Sequence, residues 1–411
     1  MEWPKVKLDS IKADVRYALV GGPFGSNLTT RDYVEEGVPV IRGNNLPADS
    51  LFLDDDFVFV TEEKADDLQS NIAYPGDIIF TQRGTLGQVG IIPLQAQFPR
   101  YVISQSQMKL SVDPEKADAR FVYYFFRMPS TVQAVINHAL TSGVPHINLG
   151  ILKEFEILRP HITVQERLAN ILSAYDDLIE NNQRRMALLE EAARQLYREW
   201  FVRLRFPGYE HTRLTDGVPE GWERKPIAEL TTFVSRGIAP HYDDDEEGLV
   251  INQKCIRNGR LDLMLARHQA REFKPDRQVQ PGDVLVNSTG EGTLGRVAQV
   301  VSPIPNCTVD THVTIVRPRA DVGRHYFGMA VMDWEPRFSI MGRGATNQTE
   351  LSRGQIGEAE ILVPSNSLVQ QFEEFAAPLF GQVVALMEQN QKLRTARDLL
   401  LPRLMGGEIA V

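Results

Sequence analysis

The side chains of this sequence that could do chemistry are concentrated in short turns rich in Arg, Gln, Asn, Ser, Thr and His. Their donors and acceptors are of the kind that reads base edges in the major groove of DNA. In the first half of the chain, the candidate base-contacting residues are Phe24, Ser26, Asn27, Arg42, Asn44, Gln82, Arg83, Thr85, Gln105, Gln107, His146 and Asn148. Their counterparts in the second half are Ser235, Arg236, Asn252, Lys254, Asn287, Ser288, Thr289, Thr293, Thr311, His312, Asn347 and Gln348. A single polar turn is more often an ordinary solvated turn, so it is the groups that predict binding to double-stranded DNA.

A glycine-rich stretch at residues 290–295 has the spacing G-x-G-x-x-G, which also occurs in dinucleotide-binding loops. Such a loop must open a helix whose N-terminal amides face the pyrophosphate. The residues that follow, 296–301, have the composition of a strand, and the matching stretch at residues 83–87 lacks the first glycine. We therefore predict a hairpin turn here rather than a cofactor loop.

Other catalytic and metal-binding patterns are weak. The acidic run at residues 243–247 is typical of a solvated loop. The eight histidines show no paired-ligand spacing, and Cys255 and Cys307 are too few for a disulfide framework or a zinc site. The sequence contains no phosphate-binding loop and no nucleophile elbow. It predicts a chain with no catalytic residues and no metal of its own.

Two long helices are predicted to hold the polar turns. The first lies within residues 164–206, where apolar residues follow one another at alternating steps of three and four, the spacing of a coiled-coil seam. Its seam positions are Leu172, Tyr175, Ile179, Asn182, Met186, Leu189, Ala193, Leu196 and Trp200. The second lies within residues 370–404 and carries a similar stripe. Because Pro378 and Gly381 disfavour a helix interior, we expect the second helix to begin after them.

Each predicted helix has one asparagine among its apolar seam positions, Asn182 in the first and Asn390 in the second. A polar residue at such a position sets the register of a coiled coil at some cost in stability. We predict that the two residues pair in an intramolecular antiparallel coiled coil. Two alternatives fit the same pattern: both residues on solvated edges, or an exchange of helices between two chains.

The sequence is internally duplicated, which indicates two similar domains. Residues 75–81 match residues 281–287, and the turns that follow them also match. Each half contains short Val-, Ile- and Phe-rich runs between Gly, Pro and Asp, typical of a mostly antiparallel sheet. The predicted fold class is α+β, with two mostly-β domains separated by two long antiparallel helices in a pseudo-twofold arrangement. The predicted parts are a first domain (1–160), a central helix (161–206), a linker (207–221), a second domain (222–364) and a C-terminal helix (365–411).

Length and charge limit the possible functions. A chain of 411 residues is too long for one compact core, so at least two domains are expected. The net charge is −10, so DNA binding requires a positive face or a positively charged partner protein. The sequence has no long apolar run and its first residues are charged, so we expect no membrane span, no signal peptide and a cytoplasmic location.

The sequence resembles the specificity (S) subunits of type I restriction-modification systems over essentially its whole length. The most specific segments are residues 22–26 with 39–44, residues 188–208 and residues 397–409. The second half departs from the family at residues 235–238, where the Gly-Pro-Phe-Gly-Ser stretch of the first half is replaced. This difference is expected if the two halves read different bases.

The resemblance implies that each globular half is a target-recognition domain for one half of a bipartite, asymmetric DNA sequence. The helices would set the number of unread base pairs between the halves and hold two methyltransferase subunits. Those subunits would bind S-adenosylmethionine, and two further restriction subunits would use ATP and Mg²⁺. This chain would be non-catalytic and bind no cofactor, and its partners would contact the phosphates.

Two other classes of function remain open at the level of sequence. One is a stand-alone sequence-specific DNA-binding or antirestriction-like protein of the same fold. The other is a coiled-coil scaffold whose globular domains bind something other than DNA. The sequence does not reveal which bases are read, because turns of this kind follow no simple residue-to-base code.

Overall fold

The protein is described here by a computed structural model that covers residues 3–48, 50–139, 145–342 and 350–409. The chain divides into two compact units: unit 1 is Met1–Gln183 with Glu388–Val411, and unit 2 is Arg184–Met387. Each of the two long helices therefore contributes one part to each unit. The candidate residues Asn347 and Gln348 lie outside the described residues.

Unit 1 contains two four-stranded sheets. Its strands are β1 (Lys5–Lys7), β2 (Leu19–Gly21), β3 (Val38–Ile41), β4 (Val58–Val60), β5 (Ile72–Ala73), β6 (Ile78–Thr81), β7 (Val89–Ile91), β8 (Tyr101–Ile103), β9 (Gln107–Leu110) and β10 (Glu156–Leu158). Its helices are α1 (Glu62–Asp67), α2 (Ala119–Arg127), α3 (Pro129–Asn137), α4 (Leu149–Glu154) and the first part of α5 (Ile162–Tyr197). One sheet has the order β2-β9-β6-β7 and is antiparallel; the other has the order β4-β3-β8-β5, in which β3 and β8 are parallel.

Unit 2 repeats this arrangement. Its strands are β11 (Leu214–Thr215), β12 (Val218–Pro219), β13 (Glu223–Pro226), β14 (Thr231–Arg236), β15 (Leu249–Ile251), β16 (Ile256–Arg257), β17 (Arg260–Leu261), β18 (Arg267–His268), β19 (Val284–Asn287), β20 (Val297–Gln299), β21 (Cys307–Val309), β22 (Val313–Pro318) and β23 (Glu360–Val363). Its helices are α6 (Arg324–Met332), α7 (Glu335–Phe338), α8 (Arg353–Glu358) and the first part of α9 (Asn366–Met405). The sheet β14-β22-β19-β20 corresponds to β2-β9-β6-β7, and β15 and β21 form the matching parallel pair. The predicted α+β class with duplicated, mostly antiparallel sheets is confirmed.

The glycine-rich stretch at residues 290–295 joins the antiparallel strands β19 and β20, so it is a hairpin turn as predicted. Gly290, Gly292 and Gly295 have φ values of 109°, 70° and 77°. These left-handed conformations strain residues with a Cβ atom, which explains the three glycines without a phosphate ligand.

Helix α5 is amphipathic as the seam predicts, and it ends earlier than the sequence pattern indicates. The α-helix stops at Tyr197 and continues as one π-helical turn, Arg198–Val202. Leu204 then adopts a left-handed conformation with φ of 58°, which a helix cannot contain. Trp200 and Phe201 of the π-helical turn are buried in the core of unit 2.

The prediction that the second helix begins after Pro378 and Gly381 is wrong. Helix α9 starts at Asn366 and runs through both residues, which are exposed. The opposite face of this segment carries Phe372, Ala376 and Phe380, all buried in the core of unit 2. Burying each phenylalanine contributes about 1.5–3 kcal/mol, which together exceeds the roughly 3 kcal/mol cost of an interior proline.

The two predicted seam asparagines lie together in unit 1. Asn182 is 3% and Asn390 2% exposed, and the Asn182 amide donates a hydrogen bond of 2.9 Å to the Asn390 side-chain oxygen. The Asn390 amide in turn donates to the Ile179 carbonyl at 3.3 Å. This contact within one chain fits the predicted antiparallel pairing; that the asparagines determine the register stays a prediction.

A buried ionic cluster also joins the helices to the globular part of unit 1. Arg397 on α9 contacts Asp176 on α5 at 2.5 Å, and the Tyr124 hydroxyl on α2 donates to the same carboxylate at 2.6 Å. The Arg397 and Asp176 side chains are only 6% and 5% exposed. Burial by itself would lower the pKa of Arg397, but the carboxylates of Asp176 and Asp398 outweigh it and raise the pKa, so the guanidinium stays charged.

Candidate nucleic-acid interface

The parallel pair of strands in unit 1 brings two predicted turns together. Strands β3 and β8 are paired in parallel with Ile41 opposite Ile103, so their carboxyl ends meet at one edge. The turn that contains Arg42 and Asn44 follows β3, and the turn that contains Gln105 follows β8. The two turns are therefore neighbours at that edge.

The second sheet of unit 1 adds the remaining turns at the same edge. Thr81 at the end of β6 lies opposite Gln107 at the start of β9, and Gly21 at the end of β2 lies opposite the next residue of β9. His146 forms an isolated antiparallel bridge with Arg83. We define the reading edge of unit 1 as residues 22–27, 42–45, 81–88, 104–107 and 146–148, which bring together all the predicted groups of the first half.

A shallow depression of about 410 Å³ lies in this reading edge. It is lined by Gly43, Asn44, Thr81, Arg83, Gly84, Thr85, Gln88, Ser106 and Gln107. Arg83, Thr85 and Asn44 are exposed, whereas Gln107 is only 1% exposed and hydrogen-bonds the Ser104 hydroxyl. Gln107 therefore positions the turns from within, and the exposed side chains are accessible to a ligand.

The other candidates of unit 1 are of two kinds: exposed side chains, and side chains that form hydrogen bonds with neighbouring segments. Phe24, Ser26 and Asn27 are exposed. Three further polar side chains are exposed or half-buried and hold neighbouring segments: Arg42 donates to the Asp56 carbonyl, Gln105 to two carbonyls of the 22–28 loop, and Asn148 caps α4. Gln82 and His146 are half-buried.

The edge of unit 2 is built in the same way. Strands β15 and β21 are parallel, so the turn with Asn252 and Lys254 lies beside the turn with Thr311 and His312. Asn287 at the end of β19 lies opposite Val313, directly after that second turn. We define the reading edge of unit 2 as residues 235–238, 252–254, 287–295 and 310–312.

The polar groups at this second edge are satisfied in part by each other, while the buried side-chain oxygens of Asn287 and Gln253 have no hydrogen-bond partner among the described residues. Asn287 and Ser288 are fully buried, and the Asn287 amide donates to the Gln253 and Thr293 carbonyls at 2.9 and 3.0 Å. The Thr289 hydroxyl lies 2.6 Å from Nδ1 of His312. Asn287 and Ser288 thus stabilise the turn, and their predicted contact with bases requires the turn to open.

The charged and exposed candidates of unit 2 lie around these buried groups. Arg236 forms an ion pair of 2.6 Å with Glu350, and Ser235 is buried beside it. Lys254, Thr311 and His312 are exposed, while Asn252 and Thr293 are half-buried. Lys254 and Thr311 are the described candidates of this edge best placed for direct contact, because the His312 ring already bonds to Thr289.

Three groups at or near the second edge have pKa values that burial raises. Asp310 is 3% exposed, and burial raises the pKa of its carboxyl, although the His312 amide, which donates to it at 2.8 Å, opposes the shift. Burial also raises the pKa of the Cys255 and Cys307 thiols, to about 11 and about 12. Thiols with such values are not nucleophiles near neutral pH.

Sequence reasoning missed several side chains of the two edges. Thr81, Gln88 and Ser106 line the depression of unit 1, and Gln253 carries the carbonyl that holds Asn287. Three of these residues belong to turns already identified, so their neighbours gave the signal. Gln88 lies at the far end of its hairpin, and only the pairing of β6 with β7 places it beside Thr81.

Within the described ranges, no group of three or more His, Cys, Asp or Glu side chains could hold a metal ion. None of the helices in those ranges is long and apolar enough to cross a bilayer.

Comparison with known proteins identifies relatives for most of the chain. Residues 27–191 match the family described as "Type I restriction modification DNA specificity domain". The MjaIX specificity subunit of Methanocaldococcus jannaschii is 24% identical over 367 residues, which are 86% of this chain and 82% of that protein. The HindI specificity subunit of Haemophilus influenzae is 19% identical and covers 81% of this chain and 86% of its own length.

A solved structure shares the fold. The S subunit of a type I restriction-modification system from M. genitalium superposes with a TM-score of 0.54 at 18% identity and covers 98% of this chain and 96% of its own. The duplicated sheets, the two long helices and the sequence relatives all lead to the same assignment. The chain carries the type I restriction modification DNA specificity domain over residues 27–191, and over most of its length it is similar to the specificity subunits of type I restriction-modification systems.

Proposed function

We propose that unit 1 reads one half of a bipartite, asymmetric DNA target and that unit 2 reads the other half. The observation that carries the proposal is the convergence of polar turns from separate strands onto one edge in each of two duplicated units. Several side chains that are fixed on strand ends can contact successive base edges in the major groove at the same time.

The exposed side chains of unit 1 are suited to direct readout. The guanidinium of Arg83 can donate two hydrogen bonds to guanine. The Asn44 amide donates to Asp56 at 3.1 Å and can exchange that contact for a pair with adenine. Each good contact of this kind contributes about 1–3 kcal/mol of discrimination between bases. Gln105 and Gln107 hold the turns in place through hydrogen bonds and burial, so the turns lose little conformational entropy on binding.

The two long helices would set the number of unread base pairs between the half-sites. Both α5 and α9 pass without interruption from one unit into the other. One heptad inserted in each helix adds about 10.5 Å, close to three base pairs at about 3.4 Å each. We expect the spacer to lengthen by about three base pairs with both half-sites unchanged. An unchanged spacer in the methylated sequence would contradict this role.

The same helices would also bind two methyltransferase subunits. They carry large apolar side chains on their exposed faces, among them Leu178 and Leu399 of unit 1 (48% and 67% exposed) and Leu188 and Phe375 of unit 2 (71% and 58% exposed). A partner subunit that covers these side chains would remove their apolar surface from water.

The proposal assigns all catalytic steps to partner subunits in the cytoplasm. Two methyltransferase subunits would bind S-adenosylmethionine and methylate adenine, and two restriction subunits would bind ATP and Mg²⁺. This chain would be non-catalytic and bind no cofactor. Its net charge of −10 supports a division in which the partners contact the phosphates and this chain contacts the bases.

The direct test is a methylome. The chain is co-expressed with the methyltransferase subunit encoded beside it, N6-methyladenine is mapped across the host genome, and the experiment is repeated without the chain. A single bipartite motif that depends on the chain is expected. Methylation that is absent or unchanged would contradict the proposal and favour a stand-alone DNA-binding protein, which a random-oligonucleotide selection would then identify.

A further inference from the structure

An exposed aromatic ring stands on the reading edge of unit 1. The Phe24 side chain is 90% exposed, and its neighbours Ser26 and Asn27 are exposed as well. A single exposed apolar residue on a surface needs no explanation. This ring, however, lies in the loop beside the turn at residues 104–107, which lines the depression. The two segments are neighbours because the Gly22 amide donates to the Gln107 carbonyl at 2.8 Å.

The start of the loop is fixed against the sheet. A Cβ atom at Gly22 would lie 2.1 Å from the Ser104 carbonyl oxygen, so only glycine allows this close approach. Pro23, the residue directly before the ring, is buried. The backbone therefore enters the loop in one defined direction.

The end of the loop is fixed as well. The Gln105 amide donates to the Gly25 and Leu28 carbonyls at 2.5 and 2.7 Å, and the Leu28 side chain is buried with 3% exposure. Both sides of Phe24 are thus anchored while its ring points away from the protein. A ring that is held exposed in advance loses little conformational freedom when a ligand covers it.

We propose that Phe24 inserts between two adjacent base pairs of the first half-site and unstacks them. The inference rests on the DNA-reading function proposed above. Apolar wedges that enter from the minor groove kink a duplex by about 20–90°, and a ring that enters from the major-groove side, as this reading edge requires, must likewise separate two base pairs. A ring with both faces free can stack on the bases on either side, whereas contact with a thymine methyl group in the groove needs only one edge of the ring.

Unit 2 has no equivalent ring at residues 235–238. Ile238 is half-buried, and its amide donates to the Val309 carbonyl at 3.0 Å, so the segment lies against the sheet. Arg236 is held by its ion pair with Glu350. The distortion is therefore expected at the first half-site and not at the second.

The test is a scan with the fluorescent base 2-aminopurine, whose emission rises when it is unstacked. The full chain is purified with its methyltransferase partner and bound to duplexes that carry the methylome-derived target with one substituted base at a time. The wild type should brighten one base step of the first half-site several-fold. Phe24→Ala should abolish this signal and weaken binding by about 5- to 150-fold, the range for one lost base–aromatic stack. Phe24→Trp should keep both.

Leu94→Ala is the matched control, because Leu94 is another apolar side chain of unit 1 with 84% exposure. It should change neither the fluorescence nor the affinity. The methyltransferase will also brighten the adenine that it rotates out of the helix, and that signal is recognised by its position at the methylated base.

Three results separate the possibilities. If no further step of the first half-site brightens, or if Phe24→Ala brightens it equally, the insertion is wrong. Weaker binding by Phe24→Ala with unchanged fluorescence also overturns it and indicates a groove contact. If the wild-type complex shows no sequence preference at all, the proposed DNA-reading function itself fails.

Discussion

The buried contact between Asp176 and Arg397 gives a stability prediction with a defined size. Replacing Arg397 with Met leaves the Asp176 carboxylate, which is 5% exposed, without its cation in the interior of unit 1. Breaking a buried ion pair from one side costs about 3–5 kcal/mol, because the remaining charge is desolvated and unpaired. Asp176→Leu should lower the free energy of unfolding by less, because Asp398 still pairs with the Arg397 guanidinium at 2.9 Å.

Removing both charges should restore most of the lost free energy of unfolding. Apolar replacement of a whole buried pair is often neutral or stabilising. In the double variant Asp176→Leu with Arg397→Met, the Tyr124 hydroxyl still loses its acceptor, which costs about 1–3 kcal/mol. The additional change Tyr124→Phe should remove that penalty and return the free energy of unfolding to near the wild-type value.

The duplicated helices carry apolar residues at the positions equivalent to Asp176 and Arg397. The pairing of Asn182 with Asn390 relates positions of α5 and α9 that are 208 residues apart. The same separation relates Asp176 to Val384 and Arg397 to Leu189, both of them apolar residues of unit 2.

The measurement must resolve the two units, since a chain of two compact units has no single defined free energy of unfolding. Hydrogen exchange in rising urea, followed by mass spectrometry on peptides from the unit 1 part of α5, reports the local opening free energy. Peptides of unit 2 are the internal control and should not change. A double variant as unstable as either single variant would refute the reasoning, because it would show that the penalty does not come from an unpaired charge.

Three further predictions follow from named contacts. Arg83→Ala should lower the discrimination between bases at the first half-site by about 1–3 kcal/mol and leave discrimination at the second unchanged. Lost discrimination at both half-sites in the methylome would contradict the assignment. Replacing Asn182 and Asn390 together with Leu should raise thermal stability but allow mixed association states, which light scattering would detect; a uniform monomer would argue against a register role. Burial raises the pKa of Glu373, but hydrogen bonds from His325 and two backbone amides outweigh it and hold the pKa below its ordinary 4.5. The stabilisation of unit 2 should therefore be complete above that value and be lost as pH falls further, and Glu373→Gln should remove this dependence in acid unfolding; an unchanged acid profile would oppose it.

Much of the fold could be predicted because its signals are local. The alternating steps of three and four residues identified α5 before its packing was known, and the repeat of residues 75–81 at 281–287 identified two similar sheets. Each of these signals depends on periodicity or self-similarity, which can be detected in a sequence without knowledge of its contacts. The outcome at Pro378 differs, because distant packing of Phe372 and Phe380 decides whether the helix tolerates the proline.

The site could be predicted by groups and not by single side chains. Asn287 has the same composition signal as Asn44, yet it is fully buried, with its amide nitrogen bonded to a carbonyl 34 positions earlier and its amide oxygen without a partner among the described residues. A satisfied polar side chain can be buried at little cost, and no local pattern shows whether a partner exists. Whether a polar turn residue can contact a base or instead forms hydrogen bonds within the protein therefore depends on strand pairing.

The two reading edges differ in how much a base contact can contribute. At the edge of unit 1, Arg83 and Thr85 are exposed, so a base replaces only water. At the edge of unit 2, Thr289 and His312 already bond to each other, and Arg236 is held by Glu350. A base that contacts one of these groups must replace an internal hydrogen bond, which leaves a smaller net gain. The same cost applies to Asn44 of unit 1, whose amide already donates to Asp56. Arg83 and Thr85 are thus better placed for strong discrimination than Asn44, His312 or Arg236.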